Sequence, residues 1–220
     1  YALITSYGTN NDPLEDPPPH NQNYEDSGIQ IVNISDPSNP LPAGTIENGE
    51  LYQLRGANSI TTRTANGKTY ALVTSTVDDC LQIINITDLA NPFLAKSITK
   101  DDDGYSKLVS PRGLTTVEIE GSTYAITASS TEDTVHIINI NDPENPSLAS
   151  FISDDENLVL NSPRNVSTFL IGDRTYALVA AKSDDGVQII DISNPSAPTA
   201  TANFVQDGND SQSGTFDLLD

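Results

Sequence analysis

The stretch Tyr70-Ala-Leu-Val-Thr-Ser75, followed closely by Cys80-Leu-Gln-Ile-Ile-Asn-Ile86, decides the fold of this chain. Both blocks are rich in β-branched and aromatic residues and are too short for stable helices, so they predict two successive β-strands. The same pair of blocks occurs three more times, with Tyr1, Tyr124 and Tyr176 at the starts of the other copies. A pattern that recurs in this way indicates one structural unit used several times.

Each unit carries four strand signals. A run such as Gly113-Leu-Thr-Thr-Val-Glu-Ile119 precedes the tyrosine block, and a short glycine turn, here Glu120-Gly121, joins the two. After the second block, a proline turn such as Asp142-Pro-Glu-Asn-Pro146 ends the strand, because proline cannot donate to a strand ladder. A last run, here Leu148-Ala-Ser-Phe-Ile152, follows that turn. The unit, roughly 53 residues long, therefore predicts four antiparallel strands and no helix.

Four antiparallel strands in a unit of this length are typical of a β-propeller blade. We predict an all-β propeller with units at about 1–56, 57–110, 111–162 and 163–214, interrupted by an insertion at 8–27. The chain begins at a second strand and ends at 214–220 with a run that fits a first strand, so we expect 214–220 to close onto 1–6. The alternative is a segment of a larger propeller or repeat array.

The motif Asp184-Asp-Gly-Val-Gln-Ile-Ile-Asp-Ile-Ser-Asn-Pro195 resembles the LVIVD repeat, a β-propeller repeat of bacterial and archaeal proteins that are often exposed at the surface. The resemblance extends over all four units. It implies the blade architecture, and it implies no activity, because the family has no shared catalytic residues to carry over.

Charge and composition exclude several classes of function. The 31 acidic and 10 basic residues give a formal net charge of −21, which would repel nucleic acid and anionic lipid. No apolar run is long enough for a membrane helix, and the single cysteine, Cys80, excludes an internal disulfide. Four N-x-S/T sites are compatible with a glycosylated protein that is extracellular or at the cell surface. These sites are Asn33, Asn85, Asn165 and Asn209.

Acidic residues recur in two loops of every unit, just before the third strand and between successive units. In a propeller both loops lie at the same face of the disc, so the carboxylates repel one another unless a cation neutralises them. Oxygen ligands on irregular loops suit Ca²⁺ rather than Zn²⁺. The alternatives are ordinary solvated turns and a surface that acidity keeps soluble. The candidate calcium ligands are Asp101, Asp102, Asp103, Asp154, Asp155 and Glu156.

Four other residues are candidates for binding a partner. Arg112 and Arg164 occupy equivalent positions near the propeller axis, where they either bind a carboxylate or sugar acid or pair with acids between the blades. His20 and Tyr24 lie in the insertion, and repeat proteins often place such insertions on a binding face.

The sequence contains no nucleophile elbow, phosphate-binding loop, dinucleotide-binding glycine pattern or zinc-protease motif. We therefore predict a non-catalytic extracellular module that serves as a cell-surface, sheath, fibre or adhesion component. Its expected partners are other surface proteins, like subunits or glycans, with no nucleic acid and no membrane insertion. The alternative is a propeller hydrolase or lyase that uses carboxylates of the acidic face.

Overall fold

A computed structural model describes residues 1–7, 27–155 and 157–205, together with the backbone of 217–218. All regular secondary structure within these ranges is β-strand, arranged in four antiparallel sheets. The described residues contain no helix with the length and apolar character to cross a membrane. The predictions of an all-β fold and of four blades are thus confirmed.

Each sheet is a simple meander in which successive strands pair. Blade 1 contains β1 (Ala2–Ser6), β2 (Gly28–Asn33) and β3 (Leu41–Glu47). Blade 2 contains β4 (Ala57–Ala65), β5 (Lys68–Ser75), β6 (Cys80–Asn85) and β7 (Phe93–Thr99). Blade 3 contains β8 (Pro111–Ile119), β9 (Ser122–Ser129), β10 (Thr134–Asn139) and β11 (Ser147–Ser153). Blade 4 contains β12 (Pro163–Ile171), β13 (Arg174–Ala181), β14 (Gly186–Asp191), β15 (Thr199–Val205) and β16 (Asp217–Leu218).

The core lies between successive blades, because each blade has one apolar face turned to the blade before it and one to the blade after it. We call these its backward and forward faces. Ala71 and Val73 of blade 2 pack backward on Ile29 of blade 1, whereas Leu72 and Ile83 pack forward on blade 3. A third cluster joins blade 3 to blade 4 through Ile126, Ile137, Val179 and Ile190.

Near the axis the inner strands approach closely at a glycine. A Cβ atom at Gly113 of β8 would lie 2.6 Å from the Cα of Asn165 in β12, so no larger residue fits without moving one strand. This close approach fixes how blade 3 meets blade 4 at the point where both arginine candidates begin their strands.

The predicted closure of 214–220 onto 1–6 is wrong for the two residues of that segment whose backbone is described. Asp217 and Leu218 pair with Asn203 and Ala202 of β15, at the outer edge of blade 4. An edge strand offers free backbone N–H and C=O groups, and β15 is the edge that the chain has just formed. Among the described residues, blade 1 has three strands.

Candidate functional site

The acidic loops meet at one end of the blades, and they do so through hydrogen bonds to backbone amides. The Asp78 carboxylate, just before β6 of blade 2, accepts a hydrogen bond at 2.9 Å from the backbone N–H of Arg55, in the loop that enters the same blade. Its neighbour Asp79 instead accepts one from Ser110 N–H at 2.8 Å, in the loop that enters blade 3. Acidic residues before a third strand thus tie two incoming loops to the blade.

The same arrangement recurs further along the chain. Asp184 accepts a hydrogen bond from Asn161 N–H at 2.9 Å, and Asp133 accepts one from Ser162 N–H at 2.7 Å. Asp133 and Asp79 both have left-handed backbone, with φ of 48° and 52°. Asp and Asn tolerate this conformation better than most residues, which gives a second structural reason for an acid here.

The proposed calcium ligands are placed separately, each in its own local turn. Asp101, Asp102 and Asp103 are all exposed, and the Asp102 carboxylate accepts hydrogen bonds from the N–H and hydroxyl of Thr99, at 2.8 and 3.2 Å. Asp155 accepts one from Asn157 N–H at 2.8 Å. Across the ranges 1–7, 27–155 and 157–205, no group of three or more acids, histidines or cysteines is arranged to hold a metal ion.

Asp154 differs electrostatically from the other acids of these loops. Its carboxylate accepts a hydrogen bond from Leu160 N–H at 3.1 Å, yet its pKa is raised from the ordinary value. Burial is the main cause, and the negative charges of Asp184 and Asp133 add to it. The acidic loops therefore do converge near this residue.

The two arginine candidates lie near each other at the axis, at the starts of β8 and β12. The pKa of Arg164 is lowered, first by burial and then by the positive charge of Arg112, while Tyr7 acts in the opposite direction. Arg112 donates from Nε to the Ser130 hydroxyl at 3.1 Å. The Nε of Arg164 is buried and has no hydrogen-bond partner among the described residues.

The described part of the chain provides neither arginine with an acidic partner. Its four ion pairs are Arg55–Asp78, Lys68–Glu144, Lys100–Asp79 and Arg174–Asp191. The alternative in which these arginines hold blades together by pairing with nearby acids therefore finds no support in the described ranges. Two guanidinium groups remain at the axis of a strongly acidic molecule.

A polar cavity, which sequence reasoning missed, lies toward the other end of the inner strands of blades 2 and 3. It has a volume of about 270 Å³ and is lined in part by Arg63, Thr116, Glu118 and Thr123. The Nε of Arg63 and the hydroxyl of Thr123 are buried without a hydrogen-bond partner among the described residues. Nothing in the repeat pattern marks this place, because it depends on how two blades meet.

His136 and Cys80 are buried, and burial favours the neutral form of both side chains. The His136 ring lies between Tyr105 and Phe151, with ring centroids 6.4 and 5.9 Å away, and burial lowers its pKa to about 4. Burial raises the pKa of the Cys80 thiol to about 12, so the thiolate form is negligible at neutral pH. These environments agree with the interpretation of both as ordinary strand residues.

The candidate glycosylation sites differ in accessibility. Asn85 is 3% exposed, and its side-chain oxygen accepts a hydrogen bond from Thr87 N–H at 3.0 Å, so a glycan would not fit there in the folded blade. Asn33 is half-buried and makes the same contact with Ser35 N–H. Asn165 is exposed. The N-x-S/T pattern at the first two sites therefore reflects a turn that ends the third strand.

Four candidates lie outside the described residues, namely His20, Tyr24, Glu156 and Asn209. Their roles stay predictions.

Comparison with known proteins agrees with this architecture. The model of the LVIVD repeat matches the chain twice, at residues 24–47, which contain β2 and β3 of blade 1, and at 173–205, which contain β13, β14 and β15 of blade 4. The chain thus carries LVIVD repeats, which are associated with β-propellers. A search of curated proteins finds no significant match.

Solved structures with a similar fold are distant in sequence. A functionally unknown protein from Desulfotomaculum acetoxidans DSM 771 is 16% identical, with a TM-score of 0.57 over 82% of this chain and 49% of that one. A protein from Lactobacillus plantarum is 12% identical, with a TM-score of 0.57 over 90% and 65%. A Bombyx mori GH32 β-fructofuranosidase is 12% identical over 83% and 47%, and its TM-score of 0.48 is too low for any inference.

At these identities the first two alignments show a shared propeller-like fold and nothing about activity. This chain spans less than two thirds of the length of either protein.

Proposed function

We propose that this LVIVD-repeat propeller is a non-catalytic binding module of the extracellular surface, and that it takes a carboxylate-bearing sugar at its axis. The observation that carries the proposal is the pair Arg112 and Arg164, whose chain neighbours Gly113 and Asn165 meet where β8 and β12 approach closely. The positive charge of Arg112 accordingly contributes to the lowered pKa of Arg164. Neither has an acidic partner within the described ranges.

A bound carboxylate would relieve both unfavourable features of this pair. An unsatisfied buried donor such as Nε of Arg164 costs about 1–3 kcal/mol, which is recovered when Nε–H donates a hydrogen bond to a ligand carboxylate. Guanidinium groups bind carboxylates through paired, charge-assisted hydrogen bonds, and the negative charge would offset the repulsion between the two arginines. The hydroxyl of Ser130, already bonded to Arg112, lies beside the site as a further polar contact.

The surrounding charge limits the ligand to one of low charge density. With a net charge of −21 and acidic loops at the same end, the molecule repels a polyphosphate or a nucleic acid before it reaches the axis. Screening confines such repulsion to roughly 8 Å at physiological ionic strength, so a single carboxylate on a neutral, hydroxylated body is tolerated. A uronic acid residue within a glycan has these properties.

The binding proposal is tested with glucuronate and galacturonate against the neutral sugars glucose and galactose, by calorimetry. We expect the uronates alone to bind, and Arg164→Gln to weaken that binding at least tenfold. Arg174→Gln is the matched control, because it removes the same charge at the far end of blade 4, where Arg174 pairs with Asp191 at 2.8 Å. Equal binding of neutral and acidic sugars, or no binding of either, would overturn the proposal.

One observation favours a hydrolase or lyase as a second candidate. The raised pKa of Asp154 is a property of general acids, and the negative charges of Asp184 and Asp133 contribute to it. Turnover of acidic oligosaccharides that disappears in Asp154→Asn would support this candidate over the binding module.

A further inference from the structure

The polar cavity between blades 2 and 3 is formed by two faces that oppose each other across the junction. Arg63 lies directly opposite Tyr70 in the β4–β5 ladder, so both side chains are on one face, and Tyr70 packs forward into the core shared with blade 3. Glu118 lies opposite Thr123, which precedes the core residue Ala125 by two positions and so shares its backward face. Arg63 and Glu118 therefore line the cavity from the two blades.

The repeat does not require either charge at this junction. The position of Arg63 holds Val117 in blade 3, and the position of Glu118 holds Leu170 in blade 4. The junction between blades 3 and 4 therefore has two apolar residues where the junction between blades 2 and 3 has two charged ones. Since blades pack together without these charges, the charges indicate a role other than blade packing.

Both charged side chains and a hydroxyl group beside them lack partners within the described ranges. Neither Arg63 nor Glu118 takes part in the four ion pairs found there, and Nε of Arg63 is buried without a hydrogen-bond partner. The hydroxyl of Thr123, a residue only 4% exposed, is also buried without a partner. Most buried polar atoms in proteins are hydrogen-bonded, so these two call for a ligand in the cavity that they line.

The acid that blade 3 extends to Tyr70 is already engaged by other donors. Glu144, in the turn between β10 and β11, accepts hydrogen bonds from the Lys68 ammonium at 2.7 Å and from the Tyr70 hydroxyl at 2.9 Å. Tyr70 is the ladder partner of Arg63, so these contacts join the two blades beside the cavity without involving the guanidinium of Arg63.

Size and charge both restrict the ligand. The cavity of about 270 Å³ has room for about nine non-hydrogen atoms, because one water molecule takes about 30 Å³ of the liquid. Its lining residues carry one positive and one negative charge, and threonines supply hydroxyl groups. A simple anion would leave the carboxylate of Glu118 without a partner, and a simple cation would leave Arg63 without one. A small molecule that carries both charges satisfies both side chains.

We propose that this cavity binds a free α-amino acid with a small side chain. The ligand carboxylate accepts charge-assisted hydrogen bonds from the guanidinium of Arg63, and the ligand ammonium group donates to the carboxylate of Glu118. The hydroxyl of Thr123 donates a further hydrogen bond to the ligand carboxylate. This site is separate from the arginine pair at the axis, because it lies toward the other end of the inner strands.

The test is calorimetric titration of the full chain with L-serine, which carries both charges. N-acetyl-L-serine lacks the ammonium group, and L-serinamide lacks the carboxylate. We expect L-serine to bind and each derivative to bind roughly tenfold more weakly or worse, because each leaves one charged side chain unpaired. Equal binding of all three compounds, or no binding of L-serine, would overturn the proposal.

Substitutions identify the residues that hold the ligand. We expect Arg63→Gln and Glu118→Gln each to weaken L-serine binding roughly tenfold or more, and Thr123→Val to weaken it less. Lys96→Gln and Glu120→Gln are the matched controls, because they remove the same charges from exposed positions outside the cavity lining. Thermal unfolding establishes that each variant is folded. Wild-type affinity in the first two variants, or equal losses in the controls, would show that the site is wrong.

Competition separates this site from the arginine pair at the axis. We expect a saturating concentration of glucuronate to leave the affinity for L-serine unchanged, because the two sites lie toward opposite ends of the inner strands. Displacement of L-serine by glucuronate would show a shared site and would overturn this proposal, while the binding of uronates at the axis would stand.

Discussion

The carboxylate of Asp133 accepts a hydrogen bond from the backbone N–H of Ser162 at 2.7 Å, and thereby joins blade 3 to the loop that enters blade 4. Asp79 and Ser110 repeat this relationship one blade earlier, at 2.8 Å. Ser110 and Ser162 have left-handed backbone, with φ of 51° and 55°, as do the two aspartates. Each of these two junctions thus has a carboxylate acceptor at the same position of the repeat.

Substitutions at Asp133 separate the hydrogen bond from the charge. We expect Asp133→Ala to lower the free energy of unfolding by about 1–3 kcal/mol, because the N–H of Ser162 loses its acceptor. Asp133→Asn should lower the free energy of unfolding much less, since the amide oxygen still accepts the hydrogen bond and Asn tolerates a positive φ. Urea unfolding measures both. The neighbouring Glu132 is exposed, so Glu132→Gln is a control that should hardly change the free energy of unfolding. Equal losses of stability in Asp133→Asn and Asp133→Ala would show that the charge, and not the hydrogen bond, stabilises the junction.

His136 should make the fold sensitive to acid. Burial lowers its pKa from 6.5 to about 4, and the positive charge of Lys107 contributes. The unfolded chain takes up this proton at a higher pH than the folded chain does, so stability is unaffected above pH 6.5 and falls as the pH drops toward about 4. The full loss is on the order of 3 kcal/mol.

Replacing this histidine by the residue found in the other blades should remove its part of the pH dependence. The equivalent positions hold Gln30, Gln82 and Gln188, so we expect His136→Gln to unfold in urea with a shallower fall in stability between neutral and acidic pH. Tyr105→Phe keeps the histidine and the ring that stacks on it, and it should keep the wild-type slope. Parallel slopes for wild type and His136→Gln would contradict the prediction.

Cys80 should resist alkylation in the folded protein. Its pKa of about 12 leaves almost no thiolate at neutral pH, and its sulfur contacts the Gln53 carbonyl oxygen at 3.4 Å inside the fold. We expect iodoacetamide to react slowly in buffer and rapidly in urea, as followed by mass spectrometry. Phe93→Cys in a Cys80→Thr background is the control, because Phe93 is 52% exposed. A native rate close to that of the control would refute burial of the thiol.

The calcium prediction for the loop at 101–103 has a direct test by thermal unfolding. If the loop binds Ca²⁺, millimolar Ca²⁺ should raise the melting temperature of the wild type by selective binding to the folded state. Asp103→Asn should abolish that rise and, without calcium, should raise the melting temperature slightly by relieving repulsion. Magnesium at equal ionic strength is the control for screening. If calcium does not change the melting temperature of the wild type, the calcium prediction is wrong.

The repeat pattern alone determined the fold class, because β-strands and turns are specified by residues that lie close together in the sequence. Alternating apolar residues, proline turns and glycine hairpins act within a few residues of each other. The turn at Asn66-Gly67, with φ of 53° and 74°, is one case in which two adjacent residue types dictate the backbone. Four blades and the meeting of the acidic loops at one end follow from repeating that unit.

Only the tertiary structure decided which candidate residues lie together and which apolar positions are buried, since both depend on the side chains that meet across blades. Sequence reasoning marked Arg112 and Arg164 as candidates, but only the structure shows them together without an acidic partner in the described ranges. Ile4 and Val73 occupy equivalent positions of the repeat, yet Ile4 is 51% exposed and Val73 is fully buried. Because the repeat pattern is the same in every unit, it does not distinguish an exposed position from its buried equivalent; that difference depends on how the blades pack.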